Sequence, residues 1–142
     1  MAANDTTRIT GGCFCRAIRY EFPAGDHITA NCHCSMCRRT SGAPYVAWIV
    51  VPVAEFRYTS GAPKELRSSD KGKRYFCADC GTHVACVIAA YPDVIDITIG
   101  SLDHPEPFAP RHEIHTDTRL PWVTMPGGQQ VNATVPGTNK ST

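Results

Sequence analysis

Seven of the eight cysteines in this 142-residue chain fall into three short clusters. In order, the clusters are Cys13-Phe14-Cys15, Cys32-His33-Cys34-Ser35-Met36-Cys37 and Cys77-Ala78-Asp79-Cys80. Spacings this short place thiolates a few ångströms apart, which suits a soft tetrahedral cation such as zinc. Seven ligands are one fewer than two four-thiolate sites need. The simplest division is therefore one closed site and one three-thiolate site with an open position.

The clusters can be divided between the two sites in more than one way. Two short pairs from distant parts of a chain can close one tetrahedral site, so the first and third clusters together supply four thiolates. The second cluster then stands alone as three ligands within six residues. In this division the four-thiolate site is structural, and its binding energy counts as folding energy. Spacing alone leaves other pairings open.

The three-thiolate site is predicted to have its own chemistry. Three thiolates on Zn²⁺ leave a formal charge of −1, which makes the metal a weak Lewis acid for ionising water. Such a site is better suited to gathering a soft thiolate substrate, so it indicates thiol chemistry more than hydrolysis. The alternative is a second structural site that Cys86, His33 or His83 completes.

Several residues near the clusters are secondary candidates. Arg38 and Arg39 follow the last ligand of the second cluster and could bind a substrate carboxylate, or they could form a solvated basic turn. His33 lies between two ligands, so its ring is expected to point away from that metal and to be structural more often than a proton shuttle. His83 and Cys86 are most simply a core or metal-supporting histidine and a small buried hydrophobe.

The composition excludes several functional classes. Hydrophobic residues make up 42% of the chain, which is typical of a single globular domain. The formal net charge is +1 and the basic residues are dispersed, which disfavours nucleic acid as a partner. Residues 1–8 lack the apolar stretch of a secretory signal, and no apolar run is long enough for a membrane span. We therefore expect a cytoplasmic protein with reduced thiols rather than a four-disulfide scaffold.

The hydrophobic pattern predicts a mainly β fold. Strands are expected over residues 17–22, 28–33, 45–53, 56–59, 66–68, 74–77, 83–88, 94–99 and 113–117. The most apolar of these, 45–53, should be central, and a single helical turn is expected over 36–40, closed by Gly42. Three prolines between residues 105 and 110 forbid regular structure there. We expect a flexible N-terminus over 1–8, a domain over 9–125 and a disordered tail over 126–142.

The three cysteine clusters and their flanking residues resemble one known family. The matching stretches are Gly11 to Tyr20, Cys32 to Ala43 and Phe76 to Thr82, followed by Gly100-Ser101-Leu102-Asp103 and Pro121-Trp122-Val123. In order and spacing these are similar to the glutathione-dependent formaldehyde-activating enzymes, also called the CENP-V/GFA domain family. The resemblance runs from about Ile9 to Val123.

The resemblance implies a fold, a cofactor and an activity. The fold is a zinc-clamped β-tent of small antiparallel sheets with short helical turns, carrying two zinc ions per chain. Structural zinc ligands are implied at Cys13, Cys15, Cys77 and Cys80. Catalytic zinc ligands are implied at Cys32, Cys34 and Cys37. The implied activity is that of a carbon–sulfur lyase, with a small thiol such as glutathione and a small aldehyde, formaldehyde, as partners; whether the chain forms a homodimer is left open. The alternative is a non-catalytic zinc-binding interaction module on the same fold.

Overall fold

The fold is known from a computed structural model, which describes residues 7–125 and 130–131. The predicted mainly β class is confirmed, because the described residues form eleven strands, one α-helix and three short 3₁₀ turns. The strands are β1 (Arg8–Gly12), β2 (Arg19–Pro23), β3 (Thr29–Cys32), β4 (Val46–Pro52), β5 (Arg57–Ser60), β6 (Lys64–Ser69), β7 (Gly72–Phe76), β8 (His83–Ile88), β9 (Val94–Thr98), β10 (His112–Ile114) and β11 (Gln130–Val131). The helix, α1, spans Ser35–Ser41.

The strands form two sheets of unequal size. One has three strands in the order β1-β2-β5, and the other has eight in the order β11-β10-β3-β4-β9-β8-β7-β6. The pairs β3–β10 and β10–β11 are parallel and the remaining pairs are antiparallel, so the larger sheet is mixed. Its size and its two parallel pairs differ in detail from the small antiparallel sheets that the family resemblance implied. Within the described ranges, no helix is long and apolar enough to cross a membrane.

The two ends of the domain differ from the expected boundaries. Strand β1 begins at Arg8, one residue before the expected start of the domain, and it contains Gly11 and Gly12, a pair that is more common in turns. Strand β11 lies inside the segment predicted to be disordered, and it pairs with β10. The other residues of that segment lie outside the described part of the chain. Residues 105–110 have no helix or strand, as their prolines predict.

The main hydrophobic core lies between the two sheets. Ile49 and Val51 of β4 and Ile97 of β9 are fully buried against Tyr20 and Phe22 of β2. Each of these strands alternates, so its intervening residues point to the other side of the sheet. The central position predicted for β4 is confirmed, because β4 lies between β3 and β9.

The opposite face of the large sheet carries a second, smaller core. Val46 and Trp48 of β4 and Cys86 of β8 pack there against Cys37 of helix α1. The helix begins after Cys34, whose side chain accepts a hydrogen bond from the backbone N–H of Cys37. It ends at Gly42, whose left-handed backbone lets its N–H bond the carbonyl of Arg38. The predicted helical turn is therefore present and slightly longer.

Two glycines with the same backbone angle allow a controlled stability test. Gly42 has a φ of +68° and nothing within 4 Å of an added Cβ, whereas Gly61 has a φ of +69° and a Cβ there would lie 2.1 Å from the carbonyl oxygen of Ala17. We expect Gly42→Ala to cost about 1–2 kcal/mol of unfolding free energy from backbone strain alone. Gly61→Ala should cost a further ~1–3 kcal/mol for the steric clash. Urea unfolding of both variants measures the difference, and equal losses would contradict it.

Candidate metal centres

The first candidate centre brings the first and third cysteine clusters together. The Sγ atoms of Cys13, Cys15, Cys77 and Cys80 all lie within 4.8 Å of one another. The Sγ atoms of Cys13 and Cys15 are 3.6 Å apart and those of Cys15 and Cys77 are 3.7 Å apart. A tetrahedral site with metal–sulfur bonds of about 2.3 Å has sulfurs about 3.8 Å apart, whereas a disulfide joins them at about 2.05 Å. The spacing therefore fits a four-thiolate metal site.

Local hydrogen bonds at this centre favour ionised sulfur. The backbone N–H of Ile18 donates to the Sγ of Cys13 at 3.2 Å, and the N–H of Cys80 donates to the Sγ of Cys77 at 3.5 Å. The Sγ of Cys80 also lies 3.2 Å from the hydroxyl of Thr82. Hydrogen bonds with Thr82 lower the pKa of the Cys80 thiol to about 5. A thiolate is the form that binds a metal, so these contacts prepare the cluster for a cation.

The second candidate centre contains the three remaining clustered cysteines. Cys32 ends strand β3, Cys34 caps helix α1, and Cys37 lies in its first turn. Their Sγ atoms lie within 4.8 Å of one another and all three side chains are buried. Hydrogen bonds from the thiols of Cys32 and then Cys37 lower the pKa of Cys34, and a hydrogen bond with Cys34 raises the pKa of Cys32. The hydrogen bonds among the three thiols therefore favour ionisation at Cys34. The spacing of the three sulfurs fits a soft cation.

A small cavity of about 80 Å³ opens beside these three thiols. Its apolar walls include Trp48, Ile88 and Ile114, and its polar groups include Arg74 and Asp96. Sequence analysis did not single out either polar residue. Both are on strands, β7 and β9, whose alternation indicates which side chains share a face. The sequence does not show that this face looks onto the cysteines.

Arg74 is a basic residue in contact with one thiol of this centre. Its side chain is buried, with only 4% of the residue exposed. Its Nη1 donates to the Sγ of Cys37 at 3.5 Å. A guanidinium keeps its charge under all ordinary conditions, so it offsets the negative charge of thiolates in a site that water reaches poorly. The centre therefore has a built-in cation in addition to any metal.

The three residues considered as a fourth ligand do not complete this centre. No other described His, Cys, Asp or Glu places a ligand atom within 4.8 Å of all three thiols. The Nε2 of His33 is instead hydrogen-bonded at 2.7 Å to Glu113, which also accepts from Asn31. His83 packs edge-on against Trp48, and burial lowers its pKa to about 4. Cys86 lines the cavity, and burial raises its pKa to about 12.

The two arginines after the second cluster lie away from the cavity. Arg38 is half-buried and Arg39 is exposed on helix α1, and neither is among the described residues that line the cavity. Their role in binding a substrate carboxylate stays a prediction. His115, from an H-x-x-H pair next to the proline-rich loop, does line the cavity.

A mainly β domain with one four-thiol and one three-thiol cluster defines a class of cysteine-rich protein whose thiols could hold metal ions. A family model of the glutathione-dependent formaldehyde-activating enzymes matches residues 8–118, and the chain belongs to this family. A Halomonas elongata protein that is provisionally named a glutathione-dependent formaldehyde-activating enzyme is 26% identical over 133 residues, covering 86% of this chain and 83% of that protein.

Two further comparisons are more limited. An uncharacterized lyase of Schizosaccharomyces pombe is 29% identical over 72 residues, covering 51% of this chain and 52% of that protein. The crystal structure of a Rhodobacter sphaeroides protein is similar with a TM-score of 0.59 and 21% identity, covering 70% of this chain and 94% of that one. The structural likeness concerns the fold. The resemblance to the family that the sequence indicated is confirmed by the family model.

Proposed function

We propose that this protein is a zinc-dependent carbon–sulfur lyase that acts on a thiol–aldehyde adduct. By resemblance to the family, the thiol is glutathione and the aldehyde is formaldehyde. One observation carries the proposal: three buried thiols form a metal-sized cluster beside a cavity, and no fourth ligand from the described residues lies within 4.8 Å of all three. A centre with a free position is the arrangement that catalytic metal sites keep. Membership of the family supports the same conclusion.

In this proposal each centre holds one zinc ion, and the two ions have different roles, one structural and one catalytic. Cys13, Cys15, Cys77 and Cys80 would hold a structural zinc, and Cys32, Cys34 and Cys37 would hold the catalytic one. When bound, the catalytic zinc supplies a soft positive centre that favours the thiolate form of a substrate thiol. A cytoplasmic location belongs to the same proposal, because all eight cysteines are free thiols and a reducing compartment keeps them so.

The residues that line the cavity determine its polarity, its charge and the size of the substrate that it can admit. Trp48, Ile88 and Ile114 make part of the cavity wall apolar, and electrostatic contacts are stronger in apolar surroundings than in water. Buried Arg74 adds positive charge next to Cys37, which stabilises negative charge on sulfur or oxygen nearby. The cavity of about 80 Å³ is far below the roughly 300–1,000 Å³ of pockets that enclose a whole drug-sized ligand. It would admit the thiol end of glutathione and a one-carbon aldehyde.

Exchange NMR on glutathione and formaldehyde tests this function directly. We expect zinc-loaded protein to raise the rate of exchange between free glutathione and its hydroxymethyl adduct above the uncatalysed rate. The metal-free protein, prepared with a chelator and checked for its remaining zinc, should not raise it. No acceleration by the zinc-loaded protein would contradict the proposal and favour the non-catalytic interaction module.

A further inference from the structure

The cavity beside the three thiols has a carboxylate in its wall, that of Asp96. Asp96 lies in the middle of β9 and is paired in register with Cys86 of β8, which is paired with Arg74 of β7. Side chains of residues paired across neighbouring strands point to the same face of a sheet. The three side chains therefore form a row across the sheet, and Arg74 at the end of this row donates to Cys37 of the thiol cluster.

Two features of its surroundings shift the pKa of Asp96 in opposite directions. The side chain is half-buried, and burial raises its pKa while the positive charge of Arg74 lowers it, leaving it at about 7. Groups that transfer protons near neutral pH need both protonation states within reach. The other charged or titratable groups that face this cavity are Arg74 on β7, Cys86 on β8, Lys71 on the turn before β7, His115 after β10, and the thiols Cys32, Cys34 and Cys37.

Most of those neighbours are poorly suited to carry a proton. Arg74 does not give up its proton in proteins. Burial raises the pKa of Cys86 to about 12, so its thiol stays protonated. Lys71 is exposed to solvent. His115 is the remaining candidate, but it lies outside the strands, after the end of β10, whereas Asp96 lies within β9, which pairs with β4 and β8. A group on a rigid central strand keeps a more constant position.

We propose that Asp96 is the proton carrier of the thiol–aldehyde reaction, an inference that rests on the proposed function. The carboxylate accepts the proton of the substrate thiol. The sulfur then bonds to the carbonyl carbon as the C=O π bond breaks, and the carboxylic acid gives that proton to the oxygen. In reverse, the carboxylate takes the hydroxyl proton, the C–S bond breaks, and the acid protonates the departing sulfur. No external oxidant, reductant or proton is consumed.

Exchange NMR on zinc-loaded protein, recorded between about pH 5 and pH 9, tests this role. The catalysed rate of the wild type should rise with pH through about 7, as Asp96 ionises. Asp96→Asn, which keeps the size but cannot carry a proton, should lower that rate by about 10²–10⁴-fold and remove the inflection. Asp96→Glu should restore an inflection. Asp93→Asn, an exposed acid on the preceding turn, should change neither.

A second readout does not depend on turnover. The ¹³C shift of the Asp96 carboxyl in the zinc-loaded protein should follow a titration centred near pH 7. The inference is overturned if Asp96 titrates in the ordinary aspartate range, or if Asp96→Asn keeps both the rate and the inflection. It is also overturned if only His115→Gln removes the inflection. These outcomes leave the lyase function standing, whereas a wild type that does not accelerate exchange ends both proposals.

Discussion

Replacing Cys77 with serine is expected to unfold this protein at 25 °C. Cys77 is buried and is one of four thiols that join the start of the domain to the turn between β7 and β8. Structural zinc contributes roughly 10–16 kcal/mol to small zinc domains, which matches or exceeds the ~5–15 kcal/mol total stability of an ordinary domain. A serine hydroxyl is a poor substitute for a thiolate ligand. Losing this ligand therefore removes most of the metal's contribution.

Thermal unfolding followed by circular dichroism measures this effect. The matched control is Cys86→Ser, which changes another buried cysteine that belongs to neither cluster. It should cost only about 1–3 kcal/mol, the penalty for placing a hydroxyl in an apolar environment. Adding a strong chelator to the wild type should reproduce the behaviour of Cys77→Ser. A Cys77→Ser variant that melts at the wild-type temperature would show that the four thiols do not hold the fold together.

Replacing Cys37 with serine is expected to abolish the proposed lyase activity while the fold is kept. Cys37 belongs to the three-thiol cluster and accepts the hydrogen bond from Arg74. Without it, two thiols remain, which is one fewer than the three protein ligands that catalytic zinc sites keep. We expect the catalysed exchange rate to fall by at least about 10³-fold, because removing one member of a catalytic group that acts as a unit costs other enzymes that much or more. Bound zinc should fall from two ions per chain to one, measured by native mass spectrometry.

Cys86→Ser serves as the control for activity as well, because Cys86 lines the same cavity without belonging to the cluster. That variant should retain both zinc ions and most of its activity. Two outcomes would argue against the assignment. If Cys37→Ser unfolds like Cys77→Ser, the second centre is structural; if it keeps full activity, the reaction takes place elsewhere.

Features that depend on residues close together in the sequence could be predicted. The three thiols of the second cluster lie within six residues, so the end of β3 and the first turn of α1 are enough to bring them together. Alternation along residues 94–99 predicted a strand, and the observed β9 spans Val94–Thr98 with Ile95 and Ile97 buried in the core. Strand β8 has the predicted bounds, His83–Ile88, because turn residues mark both of its ends.

Features that depend on distant strands could not be predicted in the same way. The wall that Arg74 and Asp96 share arises from the pairing of β7, β8 and β9, and a sequence does not state which strands become neighbours. The same is true of β10, which runs parallel to β3 and brings Glu113 to His33. Strand β1 was not predicted, because its two glycines are typical of turns. They occur in a strand here because Tyr20 and Ile18 leave no room for a Cβ at these positions.

The two cysteine centres differ in the length of chain between their first and last ligands, and this sets the order in which they would bind the proposed zinc ions during synthesis. Cys15 and Cys77 are 62 residues apart, so the four-thiol centre cannot be complete until residue 80 has left the ribosome. The three-thiol cluster needs only residues 32–37 and closes almost no loop, so even an unfolded chain can bind a cation there at little entropic cost. A metal that also binds the unfolded chain contributes less to stability. On the proposed function, the second centre can therefore bind its metal early in synthesis, while metal binding at the first centre stabilises the complete fold.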